Sequence, residues 1–147
     1  MIKYVPEHPM HHVLLSVLAV GLLSTGCGKQ ETETTETQPP ETHQVEIRAE
    51  GFLFYFKPEE LTVKPGDTVS WTASKKGEFH LKFKDYPEGA EDVLSKNGKL
   101  ESPDLKEADD TWEVHFSEEY PTGEYHYVCT NHEDDGMQGW IQVKPQE

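Results

Sequence analysis

A thiol, an imidazole and a thioether fall within nine residues near the C-terminal end of the chain. They are Cys129, His132 and Met137, spaced C-x2-H-x4-M. A strand ending at Cys129 and another starting near Met137 would let the connecting loop fold all three side chains around one point. A fourth donor must then come from elsewhere, and His80, on an earlier strand, is well placed. Two imidazoles and a thiolate in a plane, with a weak axial thioether, form the donor set of an electron-transfer copper site. Thiolate and thioether are soft and suit Cu(I), while imidazole suits both oxidation states. Taken singly, each residue has a plainer use. A buried Cys is usually a small hydrophobe, a Met usually fills a core gap, and a His is more often a surface residue than a ligand. Their joint spacing selects the metal reading, because it sits between a G-x-Y-x-Y segment starting at Gly123 and a G-x-I-x-V segment starting at Gly139.

Short strands must hold these residues. Val45 to Ala49 alternates, Phe52 to Phe56 is aromatic, and Leu61-Thr62-Val63 runs into the turn signature Lys64-Pro65-Gly66-Asp67. Thr68 to Thr72 and Phe79 to Phe83 read as further strands. Trp112 to Phe116 alternates, as does Gly123 to Cys129, with Tyr125, Tyr127 and Cys129 on one face. Trp140 to Val143 is the last strand. Many short strands with Gly/Pro turns and no long helical period predict an antiparallel sandwich or barrel. Trp71, Trp112 and several Phe and Tyr are the expected core fillers. Tyr86 to Asp110 is polar and weakly patterned, with a short helical turn expected around Ala90 to Leu94. Alternation turns His126 away from the metal-site face, and His115 is expected to be exposed, so neither is counted as a ligand.

The N-terminal part has a different texture. Val13 to Leu23 is an apolar run of eleven residues, too short for a bilayer span of about 20 residues but suited to a signal-peptide core. Ser24, Thr25, Gly26 and Cys27 follow, resembling a bacterial lipoprotein signal in which the cysteine becomes the lipidated first residue. The expected organisation is a signal peptide over residues 1–26, a lipid-anchored disordered linker over 27–43 and a folded domain over 44–147. The linker holds no large apolar side chain and cannot offset its ordering entropy by burial. With Cys27 lipidated, Cys129 is left as a lone thiol in an exported protein facing the periplasm or the cell exterior.

The formal net charge is −15, from 28 acidic and 13 basic residues. That balance excludes nucleic acid, whose binding needs Lys and Arg to displace counterions, and it excludes attachment to an anionic membrane by charge. Membrane contact is expected through the lipid anchor only. Charge of this sign can steer a basic partner, and the domain is expected to be a monomer.

Residues Val45 to Val143 resemble a plastocyanin-type cupredoxin, close in style to plastocyanins and halocyanins. The likeness rests on Leu61-Thr-Val-Lys-Pro-Gly-Asp-Thr-Val-Ser-Trp71, on Trp112 to Phe116, and on Pro121-Thr-Gly-Glu-Tyr125 leading into the C-x2-H-x4-M-x-G run. The resemblance implies an all-β Greek-key β-sandwich and one type 1 copper held by His80, Cys129, His132 and Met137. It further implies that single electrons pass between protein redox partners such as a cytochrome, an oxidase or a reductase. Three positions depart from the family's pattern. Leu81 follows the first His where Asn is frequent, Asn131 stands where Pro is frequent, and Val128 replaces the Tyr that serves plastocyanins as a remote partner contact. The Tyr route is therefore not carried over, and the exposed edge of His132 remains as the expected exit. Glu133, Asp134 and Asp135 lie inside the ligand loop, where their charge favours Cu(II) over Cu(I).

Copper delivery through the same pocket, without redox turnover, is the alternative; delivery proteins more often use flexible Met- and His-rich segments. Met137 counts against a structural zinc site. Cys129 and His132 lie too close along the chain for a thiol nucleophile and its base, and no third orienting group is apparent, so no enzyme is expected. C-T-N-H lacks the second Cys of a haem attachment motif.

Overall fold

The structure, a computed structural model, describes residues 38–145. The expected signal peptide, Cys27 and most of the linker lie outside the described residues. Eight strands and one short helix follow in order: β1 (Thr42–Glu50), β2 (Leu53–Lys57), β3 (Glu60–Val63), β4 (Thr68–Ala73), β5 (Leu81–Asp85), α1 (Ala90–Lys96), β6 (Thr111–His115), β7 (Gly123–Cys129) and β8 (Gln138–Val143). Among the described residues no helix is long and apolar enough to cross a membrane.

Period-two alternation does what it promised locally. Val45, Ile47 and Ala49 of β1 are buried between exposed or half-buried neighbours, and Trp112 and Val114 of β6 behave likewise. The strands form two four-stranded sheets, ordered β2-β1-β4-β6 and β3-β8-β7-β5. Their inner faces meet as a Greek-key β-sandwich around Trp71, which lies 4.9 Å from Trp112 and 5.3 Å from Tyr127 between ring centroids. At the start of β7 the hydroxyl of Tyr125 donates to the Pro121 carbonyl at 2.7 Å, pinning the corner that feeds the strand.

Three features differ from the sequence reading. The sheets are mixed, because β1 pairs with β4 and β3 with β8 in parallel. Alternation reports which face a residue takes and carries no information on strand direction. Next, β1 begins at Thr42, so Thr42 and His43 belong to the folded domain and not to the linker. Their side chains are polar, but the Asp67 carboxylate accepts from the Glu41 amide at 2.9 Å and pairs with His43 Nε2 at 2.8 Å, tying this end of the strand to the β3–β4 turn. Finally, β5 starts at Leu81. Phe79 forms an isolated bridge to Leu105, which leaves His80 at a break between bridge and strand.

Candidate metal centre

Cys129 is the last residue of β7, and Met137 immediately precedes β8. Both are fully buried. The loop between them closes through its own backbone. Cys129 N donates to the Met137 carbonyl at 3.0 Å, His132 N to the Cys129 carbonyl at 3.0 Å, and Met137 N to the His132 carbonyl at 3.1 Å. Gly136, at φ +79°, takes the left-handed turn that reverses the chain ahead of Met137, a conformation glycine adopts without strain. The backbone of the loop thereby links Cys129, His132 and Met137.

His80 is brought in from the neighbouring strand segment. Leu81 stands opposite Cys129 in the β5–β7 register. Thr130 donates to the His80 carbonyl through its backbone N at 2.8 Å and its hydroxyl at 3.2 Å. On the other side, Leu81 N donates to Ser102 Oγ at 2.9 Å, Ser102 N donates to the Leu81 carbonyl at 2.8 Å, and Phe79 exchanges two backbone bonds with Leu105. The segment around residues 100–105, polar and without period, thus holds His80 in place where Leu81 cannot supply a side-chain brace.

The Cys129 sulfur sits in a divided environment. Burial pushes its thiol above the ordinary value, while backbone N–H groups of His80, Asn131 and His132 favour the thiolate. A metal cation would complete that preference by displacing the proton outright. Amide donors at a cysteine sulfur are also a recognised control on the potential of a copper–thiolate centre. A buried thiolate with converging amides, a buried thioether and two adjacent imidazoles fit copper in donor chemistry.

The imidazoles engage carboxylates. His80 Nδ1 lies 3.2 Å from Asp104 Oδ1, with its Nε2 3.8 Å from Glu101. The Lys106 ammonium and then the His80 ring hold the Asp104 carboxyl below its ordinary value. His132 Nδ1 lies 3.2 Å from Asp135 Oδ2. The ring of His132 is stacked on Phe54 and tilted against Phe79, and 19 % of the side chain meets solvent. With the rings in these orientations, no three His, Cys, Asp or Glu side chains among the described residues cluster as a metal cage. The backbone brings the four residues together, and both Nδ1 atoms point to carboxylates. Sequence reasoning missed Ser102 and Asp104, which lie in an unpatterned stretch. It saw Phe54 only as part of an aromatic run. His126 is engaged by Asp85 and Gln138, and His115 is exposed beside Thr68.

A Greek-key sandwich presenting a Cys–His–Met loop beside a histidine from an adjoining strand segment defines a cupredoxin. The family of copper binding proteins described as plastocyanin/azurin matches residues 42–144. Plastocyanin of Nostoc punctiforme is 30% identical over 115 residues, covering 75% of this chain and 79% of the relative. The structure of oxidised plastocyanin from Dryopteris crassirhizoma is 28% identical with a TM-score of 0.56, covering 69% of this chain and 99% of that one. A purple cupredoxin from Nitrosopumilus maritimus, 24% identical with a TM-score of 0.51 over 69% of this chain and 99% of that one, shares the fold. The chain belongs to the plastocyanin/azurin family of copper-binding proteins. Its cofactor is copper of the type 1 class, and its activity is electron transfer.

Proposed function

We propose that this protein is an exported, lipid-anchored carrier that shuttles single electrons between extracytoplasmic protein partners, with copper held by His80, Cys129, His132 and Met137. The observation that carries the reading is the closure of the Cys129–Met137 loop on itself and on His80, with three backbone amides acting on a buried sulfur. Bound copper supplies the one-electron Cu(II)/Cu(I) couple. The chain supplies the rest. The Cys129–Met137 backbone bond and the Thr130–His80 bonds limit rearrangement of the donors, the core excludes water from Cys129 and Met137, and the partly exposed edge of His132 offers a short path to a docked partner. The framing of this loop by β5, β7 and β8 favours carriage over delivery, which calls for a site that opens. Cys27 as the lipidated residue and the linker behind it would give the domain reach from a membrane surface, facing the periplasm or the cell exterior. A cytochrome, an oxidase or a reductase with a basic docking face suits the charge of −15.

Visible and EPR spectra of residues 44–147 with added Cu(II) test the ligand assignment. An intense thiolate-to-copper band near about 600 nm, expected for ligation by one thiolate and two imidazoles, should vanish in Cys129→Ala. A colourless protein that still binds copper would replace carriage by delivery.

A further inference from the structure

The outer face of the β3-β8-β7-β5 sheet carries a feature that the copper site does not use. Trp140 of β8 stands opposite His126 of β7, and the two rings are stacked with centroids 5.2 Å apart and planes 23° from parallel. His126 is fixed from both sides, by Asp85 at 3.2 Å and by Gln138 at 3.1 Å. The indole is therefore held by a side chain that is itself held. On the β3 side Trp140 faces Glu60 in the parallel register. A groove of about 400 Å³ opens there, lined by Glu60, Leu61, Thr62, Glu124, Trp140 and Gln142.

The charge of this groove differs from that of the rest of the sheet face. Lys82 and Lys84 of β5 answer Glu101 and Glu133. Glu60 and Glu124 are exposed, and neither has an ion-pair partner among the described residues. The groove lining includes no basic side chain. An aromatic face flanked by two uncompensated carboxylates attracts a planar cation through the ring quadrupole and through Coulomb attraction. Thr62 and Gln142 add polar side chains at the rim.

We infer that this groove receives an arginine side chain from a basic protein partner, making it a docking surface separate from the His132 end of the molecule. The inference rests on the reading that the protein serves protein partners, and it names their chemistry and place of contact. Guanidinium suits the groove better than ammonium because it is flat enough to lie on the indole while its N–H fork reaches a carboxylate.

The test is an NMR titration of the full chain, loaded with Cu(I), with a hexa-arginine peptide at low salt. The indole N–H of Trp140 and the amides of Thr62 and Gln142 should shift and saturate together. Trp140→Ala should weaken binding about three-fold, as expected for a cation on an exposed ring. Glu60→Gln with Glu124→Gln keeps the indole and should weaken binding by a similar factor. Glu88→Gln with Asp92→Asn removes the same charge near α1 and should leave the midpoint almost unchanged. An unaltered midpoint in both groove variants, or equal weakening by the α1 pair, would overturn the assignment in favour of diffuse charge attraction. The titration involves no electron transfer, so it stands apart from the copper spectrum, whose failure would strike the proposed function alone.

Discussion

The imidazole of His132 lies flat on the phenyl ring of Phe54, with centroids 3.7 Å apart and planes 11° from parallel. Phe54 comes from β2 in the opposite sheet, so a residue on one sheet positions the His132 ring on a loop of the other. Beside it, Phe52 and Leu53 project into solvent at the β1–β2 turn.

The stack predicts how firmly the donor is held. Offset-stacked or edge-to-face aromatic pairs contribute about 0.5–1.5 kcal/mol beyond their buried area, and a face-to-face stack such as this one lies at or below the low end of that range. Phe54→Ala should free the His132 ring and speed copper removal by a chelator several-fold, with a small loss of stability. Phe54→Tyr should restore the slow rate. Chelator-dependent decay of the visible band measures both, and equal rates in all three proteins would dismiss the stack as a control on the site.

Charge in the ligand loop predicts the potential. Glu133 is neutralised in part by Lys84 at 3.1 Å, and Asp135 faces His132. Asp134 has no ion-pair partner among the described residues. Negative charge near the metal favours Cu(II), so Asp134→Asn should raise the reduction potential by something on the order of ten millivolts at low salt, an effect that screening removes. Glu133→Gln should do less. Protein-film voltammetry across salt concentrations reads the shift, and an unchanged or lowered potential refutes the argument.

Asp67 predicts the acid limit of stability. Burial raises its carboxyl, but the amides of Glu41 and Lys64 and the His43 ring outweigh that, leaving it below the ordinary 3.8. A carboxyl depressed in the folded state stabilises fully above its unfolded value, and that stability is lost as pH falls through the folded value. The contribution should therefore be complete above about pH 5, begin to fall below about 4 and be lost only below the folded value. Asp67→Ala gives up three hydrogen bonds and should cost about 2–3 kcal/mol near neutrality. Asp67→Asn should flatten the acid limb of the denaturation midpoint against pH. A limb of unchanged steepness would remove Asp67 from the account.

Gly139 lies where a side chain has no room. A Cβ there would come within 2.5 Å of the Tyr127 ring and hydroxyl and 3.0 Å of the Glu59 carbonyl. Tyr127 is buried between the sheets against Trp71 and Phe56 and cannot swing aside. Gly139→Ala should cost about 1–3 kcal/mol through overpacking, read as a lower denaturant midpoint at unchanged slope. Wild-type stability in this variant would contradict the packing described for Tyr127.

Part of this protein was legible without its fold. The spacing of Cys129, His132 and Met137 is a local property, since nine residues between two strand ends can close through their own amides. Alternation over Val45 to Ala49, Trp112 to Phe116 and Gly123 to Cys129 showed which residues share a face, because successive side chains of a strand take opposite faces. The short helical turn expected around Ala90 to Leu94 falls within α1. What lay beyond reach was anything set by strands distant in the chain. Period two does not report a strand's neighbour, so the parallel β1–β4 and β3–β8 pairs could not be read. For the same reason nothing marked Phe54 as the ring beneath His132, or Ser102 and Asp104 as the braces of His80. Residue types and short spacings determined which atoms are available for copper. The tertiary structure decided what surrounds those atoms and how firmly they are held, because those contacts join segments that only the folded sandwich brings together.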